Sequence, residues 1–381
     1  MTAAPPAGAV YLDYNATAKV RPEAAAAILA ALEHTGNPSS AHAAGRAARA
    51  TLETARADVA ALVGAAPAAA TFVSGGAEAN ALAMESAIRA GVERLIIGAI
   101  EHDTVRETAV ASGLPVGIWP VDGDGRADLA WLERELAQGG RALVCLMLAN
   151  NETGVIQPVR EAAALVRAAN GWLHVDAVQA AGKMLIASDD LGADTLSLSA
   201  HKIGGPQGIG ALIAGPRATI ARRQHGGGQE RGRRAGTENV PGLAGFGAAA
   251  RAALADLPRF AGDTAGRDEF EARLIAAGAV VLCARAPRLP QTSCLAVAGF
   301  ASEMQVISLD LAGVQVSAGA ACSSGKVKAS PVVAAMGRGD LAPFSIRVSG
   351  GWASSVSDWS RAGDVLLALN ERRAARRLEV A

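Results

Sequence analysis

Lys202 lies in a segment whose composition suits a reactive amine. It follows an apolar, strand-like run at 195–199, and the chain then breaks into glycines from Gly204 onward. This order predicts a loop at the end of a strand rather than a solvated helix face. An exposed lysine is a hydrated ammonium ion, whereas a lysine that attacks carbonyl carbon needs its pKa lowered by desolvation or by a neighbouring charge. Lys202 is therefore a candidate nucleophile, with a surface lysine as the alternative.

Asp176 ends an earlier apolar run within the segment 171–179. Enzymes that use pyridoxal 5′-phosphate (PLP) hold it through a lysine Schiff base and place an acidic residue against the pyridinium nitrogen. Taken alone, Asp176 is better interpreted as a turn former and Lys202 as a surface residue. The two residues together, with the anion site described next, reverse that preference and favour PLP chemistry.

Residues 71–80 predict an anion-binding turn. A β-type run at 71–73 is followed by Gly75 and Gly76 and then by a helix to about residue 89. Free N–H groups and the positive end of the helix dipole meet at such a turn, where a phosphate would fit. The alternative is an ordinary βα turn. The segment lacks the lysine of a P-loop and the spaced glycines of a dinucleotide fingerprint, so a nucleotide site is disfavoured.

Polar side chains recur where buried strands end. Apolar runs alternate with amphipathic helices, a pattern that predicts a parallel sheet, and ligands bind beyond the carboxyl ends of such strands. His102, Asn151, Asp176 and Lys202 all fall at those ends, which predicts one shared site. His102 is a candidate for ring stacking or proton transfer, with a structural histidine as the alternative.

The last third of the chain adds two candidates. A long helix predicted at 240–257 ends the larger unit, and shorter strands follow. Cys322 lies in a run of Gly, Ser and Ala, which favours a reactive thiol over a buried one. Arg347 lies inside a strand pattern, where an inward guanidinium needs a partner. A substrate carboxylate suits its bidentate geometry, and an internal salt bridge fits the pattern equally well.

The polar, glycine-rich segment 222–239 is too rich in glycine for a helix and too polar for a core. A basic run of this kind can be a flexible nucleic-acid tail. Because this one lies between ordered elements, we interpret it as a loop packed on an anionic ligand or on a second subunit.

Overall composition excludes several classes of function. The chain has 381 residues, half of them hydrophobic, which suits two domains or one large α/β domain. Lys plus Arg and Asp plus Glu number 36 each, so no net charge recruits nucleic acid or an anionic membrane. We expect no signal peptide, and no apolar run approaches the roughly 20 residues of a membrane span. Four scattered cysteines without metal-ligand spacing favour the cytoplasm and argue against structural zinc.

Several motifs of the chain have a familiar sequence. They lie at 11–17, 36–40, 74–80, 101–102, 150–158, 174–179, 199–210 and 321–322. Together they resemble the cysteine desulfurases, fold-type I PLP enzymes of the class V aminotransferase group, and the resemblance runs from about residue 10 to residue 360. The short loop around Cys322 and the segment 226–239 are similar to those of the branch that serves iron–sulfur and nitrogenase assembly.

The resemblance implies a fold and a domain organisation. The expected α/β fold has a large domain at 21–257, built on a mostly parallel seven-stranded sheet flanked by helices. A smaller α+β domain at 258–381 would carry the cysteine loop, and residues 1–20 would pack with it. The family is homodimeric, so a homodimer is implied.

The resemblance also implies the PLP contacts. Lys202 would hold PLP and later remove the proton from the substrate Cα, and Asp176 would pair with the pyridinium nitrogen. Gln179 would hydrogen-bond the ring hydroxyl, and His102 would stack on the ring. The phosphate would be bound by the amides of Gly76 and Ala77, by Ser199 and His201, and by Thr237 of the partner subunit. Ala77 stands where the family usually has threonine, which removes one hydroxyl contact.

Three further residues would handle L-cysteine. Asn151 and Arg347 would hold its carboxylate, and Cys322 would take its sulfur as a persulfide, leave alanine, and pass the sulfur to an acceptor such as an iron–sulfur scaffold protein. A selenocysteine lyase, or another PLP-dependent elimination or transamination, is the alternative enzyme. A catalytically idle scaffold is the alternative of another class, against which the intact set of Lys202, Asp176, His102 and Cys322 argues.

Overall fold

The computed structural model of the chain describes residues 8–262, 264–319 and 329–380. The helices are α1 Pro22–Leu32, α2 Ala43–Ala61, α3 Gly76–Arg89, α4 Asp103–Ala111, α5 Leu129–Leu136, α6 Val159–Ala168, α7 Ser188–Leu191, α8 Val240–Gly262, α9 Ala265–Ala276, α10 Ser302–Leu311, α11 Pro331–Ala335 and α12 Val356–Val380. The strands are β1 Val10–Tyr11, β2 Ala70–Val73, β3 Arg94–Gly98, β4 Val116–Trp119, β5 Ala142–Cys145, β6 Trp172–Asp176, β7 Thr195–Ser199, β8 Gly210–Ala214, β9 Val280–Val281, β10 Thr292–Ala296, β11 Val314–Gln315, β12 Ser317–Ala318 and β13 Ser345–Ser349.

A seven-stranded sheet forms the centre of the larger part. Its order is β2-β8-β7-β6-β5-β3-β4, and β8 runs antiparallel to both of its neighbours while the other pairings are parallel. Every residue of β2, β5, β6 and β7 is buried, which explains why these strands read as continuous apolar runs. The predicted mostly parallel seven-stranded sheet is confirmed.

The helices that cover the sheet are amphipathic at the helical period. In α6, the buried residues are Val159, Ala162, Ala163 and Val166, spaced three and four apart along one face. That face joins the hydrophobic core of the large sheet. Among the helices in the described residues, none has the length and apolar character needed to cross a membrane.

The C-terminal part has its own sheet and core. Its antiparallel order is β12-β13-β10-β9, and a separate apolar cluster fills it. The N-terminal strand β1 pairs in parallel with β11, and Val10 and Leu12 belong to this second core. Residues 13–17 then pass from this core to the large sheet, where they meet Lys202.

Candidate active site

A cavity of about 500 Å³ opens at the carboxyl edge of the large sheet. Segments that follow β2, β3, β5, β6 and β7 border it, and β13 of the small sheet contributes a residue. Ligands of open α/β sheets bind at this edge. The cavity brings together the following residues singled out from the sequence: Gly76, Ala77, His102, Asn151, Asp176, Gln179, Ser199, His201, Lys202 and Arg347.

Lys202 lies in a single 3-10 turn, Ala200–Lys202, directly after β7. This is the strand end that the sequence predicts. Its Nζ donates to the carbonyl oxygens of Asn15 and Ala16, at 2.6 and 2.8 Å. These carbonyl groups hold the partly buried amine at the cavity wall, where it can reach a carbonyl carbon of a bound ligand.

Asp176 is the last residue of β6 and is 7 % exposed. Its Oδ1 accepts the backbone N–H of Val178 at 3.0 Å, and its Oδ2 accepts Nδ2–H of Asn80 at 2.9 Å. The two donors fix the orientation of the carboxylate and leave lone pairs for a cationic ligand atom.

His102 is the N-cap of α4. Its Nδ1 accepts the backbone N–H of Thr104 at 3.1 Å and lies 3.0 Å from Thr104 Oγ1. A neutral imidazole that accepts at Nδ1 carries its proton at Nε2, so the ring offers a flat face and an Nε2–H donor.

Glu101, the neighbour of His102, is a buried carboxyl group. Its Oε1 accepts the backbone N–H of Met147, whereas Oε2 has no hydrogen-bond partner within the described ranges. Burial, with the charge of Asp176 second, raises the pKa of Glu101 to about 8. The group is therefore mostly protonated at pH 7.

The start of α3 forms the anion-binding end of the cavity. The first N–H bonded back into the turn is that of Ala79, to the Gly75 carbonyl, so the amides of Gly76 and Ala77 precede the bonded ladder. A Cβ at Gly76 would lie 2.9 Å from Val178 Cγ2, so only glycine allows this close packing.

Two further residues singled out for phosphate binding border the same end of the cavity. Ser199 ends β7, and His201 lies in the turn that follows it. Burial, followed by the charges of Lys202 and Lys183, lowers the pKa of His201 to about 4. His201 is therefore neutral at pH 7. Its Nδ1 lies 3.1 Å from Thr17 Oγ1.

Gln179 is held from two sides. Its Oε1 accepts from Nζ of the buried Lys183 at 2.8 Å, and its Nε2 donates to the Asn15 carbonyl at 2.9 Å. Burial, followed by the charges of Lys202 and Arg347, lowers the pKa of Lys183 well below its ordinary value. The Gln179 amide therefore has a fixed orientation, and its second Nε2 proton remains for a ligand.

Arg347 makes an internal salt bridge and also borders the cavity. Its Nη2 lies 2.6 Å from Asp13 Oδ1, and its Nη1 donates to the Asn151 carbonyl at 3.0 Å. Its Nε is buried and has no hydrogen-bond partner among the described residues. The internal salt-bridge partner that the sequence allowed is therefore present, and the same side chain borders the cavity.

Comparison with known proteins gives the family. The sequence profile of the Aminotransferase class-V family matches residues 10–358. The chain belongs to the class V aminotransferase family. Among curated relatives, a cysteine desulfurase of Cereibacter sphaeroides is 42% identical over 370 residues, which cover 93% of this chain and 92% of that protein.

Two solved structures are similar to this class V enzyme. A NifS-like protein from Rickettsia africae has a TM-score of 0.88 and 31% identity, covering 95% of this chain and 99% of that one. SspA in complex with cysteine has a TM-score of 0.77 and 27% identity, covering 89% and 98%. The neighbours confirm the predicted fold class.

Among the predicted residues that the structure of this class V enzyme describes, Thr237 does not border the first cavity. Thr237 is exposed and borders a second cavity of about 230 Å³, which shares Ser74 and Gly208 with the first. Cys322 lies outside the described residues. Within those residues, no group of three or more His, Cys, Asp or Glu side chains could hold a metal ion.

Four residues that hold this class V site were not singled out from the sequence for such a role: Asn15, Asn80, Thr104 and Lys183. Asn15 accepts from Gln179 and Lys202 through its backbone carbonyl, a contact that side-chain type does not signal. Asn80 had a usable signal, since a polar residue followed by apolar positions in an otherwise apolar helix face marks a buried hydrogen bond.

Proposed function

We propose that this class V enzyme is a PLP-dependent cysteine desulfurase that acts on L-cysteine and releases L-alanine. The observation that carries the proposal is that Lys202, Asp176 and the first turn of α3 border one cavity. Their chemistry matches the carbonyl carbon, the ring nitrogen and the phosphate of PLP. The relative that is 42% identical over nearly the whole chain is a cysteine desulfurase, which supports the same reaction here.

The residues present fit PLP. Lys202 would hold it covalently, Asp176 would accept a hydrogen bond from its ring nitrogen, and Gln179 would donate Nε2–H to its ring oxygen. His102 would lie against the ring. The phosphate would be held by the amides of Gly76 and Ala77, by Ser199 and His201, and by Thr237 of the partner subunit. When bound, PLP withdraws electrons from the substrate Cα and so makes carbon–sulfur cleavage accessible.

Arg347 and Asn151 would hold the substrate carboxylate. The Arg347 guanidinium is already oriented by Asp13, so little rotamer freedom is lost on binding. Lys202 Nζ would take the proton from the substrate Cα and return it to the product. With its carboxylate held in this way, the substrate would have its Cα beside Lys202. Its thiol group would remain accessible to the Cys322 thiolate.

Cys322 would receive the sulfur. Its thiolate would attack the substrate sulfur and form a sulfur–sulfur bond. The carbon–sulfur bond would break with its electron pair going to carbon, which takes up the proton that the Cys322 thiol gave up. L-cysteine plus the Cys322 thiol thus gives L-alanine plus the Cys322 persulfide, with no outside oxidant. Support comes from β12, which leads into residues 320–328: Ser317 pairs in register with Arg347, the proposed carboxylate ligand.

We also propose that the enzyme is a cytoplasmic homodimer that passes sulfur to an acceptor protein. A homodimer would bring Thr237 of the partner subunit to the phosphate, and a sulfur-acceptor protein such as an iron–sulfur scaffold would receive the persulfide sulfur. Cys145, Cys283 and Cys294 are free thiols, which suits the reducing cytoplasm.

The test measures alanine and sulfide formed from L-cysteine under reductant by the PLP-loaded protein. We expect equal amounts of both from the parent and neither above background from Cys322→Ala. Cys283→Ala is the matched control, because burial raises the pKa of Cys283 to about 12 and its thiol is inert. Pyruvate from the parent, or full activity of Cys322→Ala, would instead support elimination or transamination. Selenocysteine is assayed in parallel to test the lyase alternative.

A further inference from the structure

A chain of buried side-chain hydrogen bonds runs behind Asp176. Asn80 on α3 donates Nδ2–H to Asp176 Oδ2 at 2.9 Å, and its Oδ1 lies 3.0 Å from Nε2 of His174. His174 Nδ1 lies 2.9 Å from Thr195 Oγ1 on the next strand. Asn80, His174 and Thr195 are at most 1 % exposed, and neither His174 nor Thr195 borders the cavity.

The direction of each hydrogen bond in this chain follows from the carboxylate. An ionised Asp176 can only accept, so the amide nitrogen of Asn80 must face it and the amide oxygen must face His174. His174 must then donate from Nε2 and accept from the Thr195 hydroxyl at Nδ1. Burial lowers the pKa of His174 to about 4, although the negative charge of Asp176 acts to raise it. The ring is therefore neutral at pH 7 and carries the single proton that this arrangement needs.

A second branch leaves Asn80 towards His102. Asn80 Nδ2 also donates to Thr104 Oγ1 at 3.0 Å, and Thr104 Oγ1 lies 3.0 Å from His102 Nδ1. Since His102 Nδ1 already accepts from the Thr104 N–H, the hydroxyl must also donate to it. One amide group is therefore bonded to Asp176 and, through Thr104, to His102.

We propose that Asn80 is a positioning residue that orients Asp176 for the ring nitrogen and His102 for stacking on the ring, and that His174, hydrogen-bonded to Thr195, fixes the Asn80 amide. This inference rests on the proposed use of PLP at this cavity. Asp176 and His102 lie on separate elements, β6 and the start of α4, and Asn80 on α3 contacts both branches. A hydrogen bond to a charged group is strong enough that its loss weakens binding about tenfold or more.

The experiment compares Asn80→Ala, His174→Leu and His174→Gln with the parent. Gln at position 174 keeps a side-chain donor for Asn80 Oδ1, whereas Leu does not. Two readouts are taken: the Kd for PLP from titration of the apoprotein, and the pH dependence of the visible absorption of the loaded protein. Ser86→Ala is the control. It removes a buried hydroxyl of α3 that donates to the Leu82 carbonyl and accepts the Ala221 N–H, and Ser86 does not border the cavity.

We expect Asn80→Ala and His174→Leu to raise the Kd for PLP about tenfold and to shift the absorption titration, with His174→Gln close to the parent. If Asn80→Ala fails to fold, Thr104→Val takes its place for the His102 branch, since Thr104 is only partly buried. The inference is overturned if the variants have the same Kd for PLP and the same absorption titration as the parent. It is also overturned if His174→Leu and His174→Gln have equal Kd values and equal absorption titrations. A parent that binds no PLP would contradict the proposed function instead.

Discussion

Lys183 Nζ lies 2.8 Å from Oε1 of Gln179, four residues earlier, in the interior behind the cavity. A buried amine is costly, and its burial lowers its pKa well below the ordinary value for lysine. In either protonation state the amine donates to the Gln179 oxygen, and this forces the amide nitrogen of Gln179 towards Asn15 and the cavity. Lys183 therefore decides which end of the Gln179 amide meets a ligand.

Lys183→Met should weaken PLP binding severalfold without loss of stability. Methionine fills a similar volume, and removing a buried amine spares its desolvation, but Gln179 is then free to flip its amide. The Kd for PLP and the urea midpoint of the apoprotein are measured together. Lys19→Met, an exposed lysine, is the control. An unchanged Kd in Lys183→Met would show that Gln179 does not need this partner.

Arg347→Met should raise the KM for L-cysteine at least tenfold. The guanidinium borders the cavity and would meet the substrate carboxylate, and a charged hydrogen bond lost in this way accounts for about 1.5–3 kcal/mol. Asp13→Asn is the matched variant: it removes the salt bridge at 2.6 Å but keeps the arginine. We expect Asp13→Asn to lower stability with a smaller change in KM. An unchanged KM in Arg347→Met would assign Arg347 to the fold alone.

The sequence predicts the strand ends well because buried parallel strands carry a simple signal. Asp176 and Lys202 follow apolar runs, and the structure places both at the carboxyl edge of the sheet. What holds them is not visible in the same way. Asn15 reaches Lys202 across 187 positions of sequence through a backbone carbonyl, which no side-chain pattern encodes.

The antiparallel direction of β8 also cannot be predicted from its local sequence. Its apolar run resembles those of the parallel strands, and only the short connection from β7 through 200–209 allows it to turn back beside that strand.

Arg347 has two equally supported interpretations in the sequence, as a ligand of a substrate carboxylate or as a member of an internal salt bridge. The structure shows the salt bridge with Asp13 and places the same side chain at the cavity, so the role at a substrate carboxylate stays a prediction.

Glu101→Gln should flatten the fall in stability of the parent between pH 4.5 and pH 8. The pKa of Glu101 is about 8 in the folded protein and 4.5 when unfolded, so its contribution is complete below pH 4.5 and is lost as pH rises to 8. The unfolding free energies should diverge by about 1.4 kcal/mol per pH unit across that window. Urea unfolding at several pH values measures this, with the exposed Glu33→Gln as control. Parallel curves for parent and Glu101→Gln would contradict the raised pKa.

Glu230 and Arg56 form a buried bidentate ion pair that anchors the 222–239 segment to the large sheet. The two guanidinium nitrogens lie 2.7 and 2.9 Å from the carboxylate oxygens, and the Phe72 N–H donates to the same carboxylate at 2.8 Å. Glu230 adopts a left-handed backbone conformation, with φ of 46°, so this contact is held against local strain. The segment carries Thr237, the residue proposed to reach the partner subunit's phosphate site.

Glu230→Ala should therefore lower the free energy of unfolding by about 3 kcal/mol, because it removes the buried partner of Arg56 and leaves that charge only the exposed carboxylate of Glu53, 3.1 Å from its Nε. Arg56→Met combined with Glu230→Ala should lose much less than the sum of the single changes, since neither buried charge remains. Asp190→Ala, which removes an exposed pair with Arg160 at 3.2 Å, should cost about 0–1 kcal/mol. Urea unfolding of the four members of the cycle gives the coupling energy. Additive losses would mean that the two side chains act independently and that other contacts hold the segment in place.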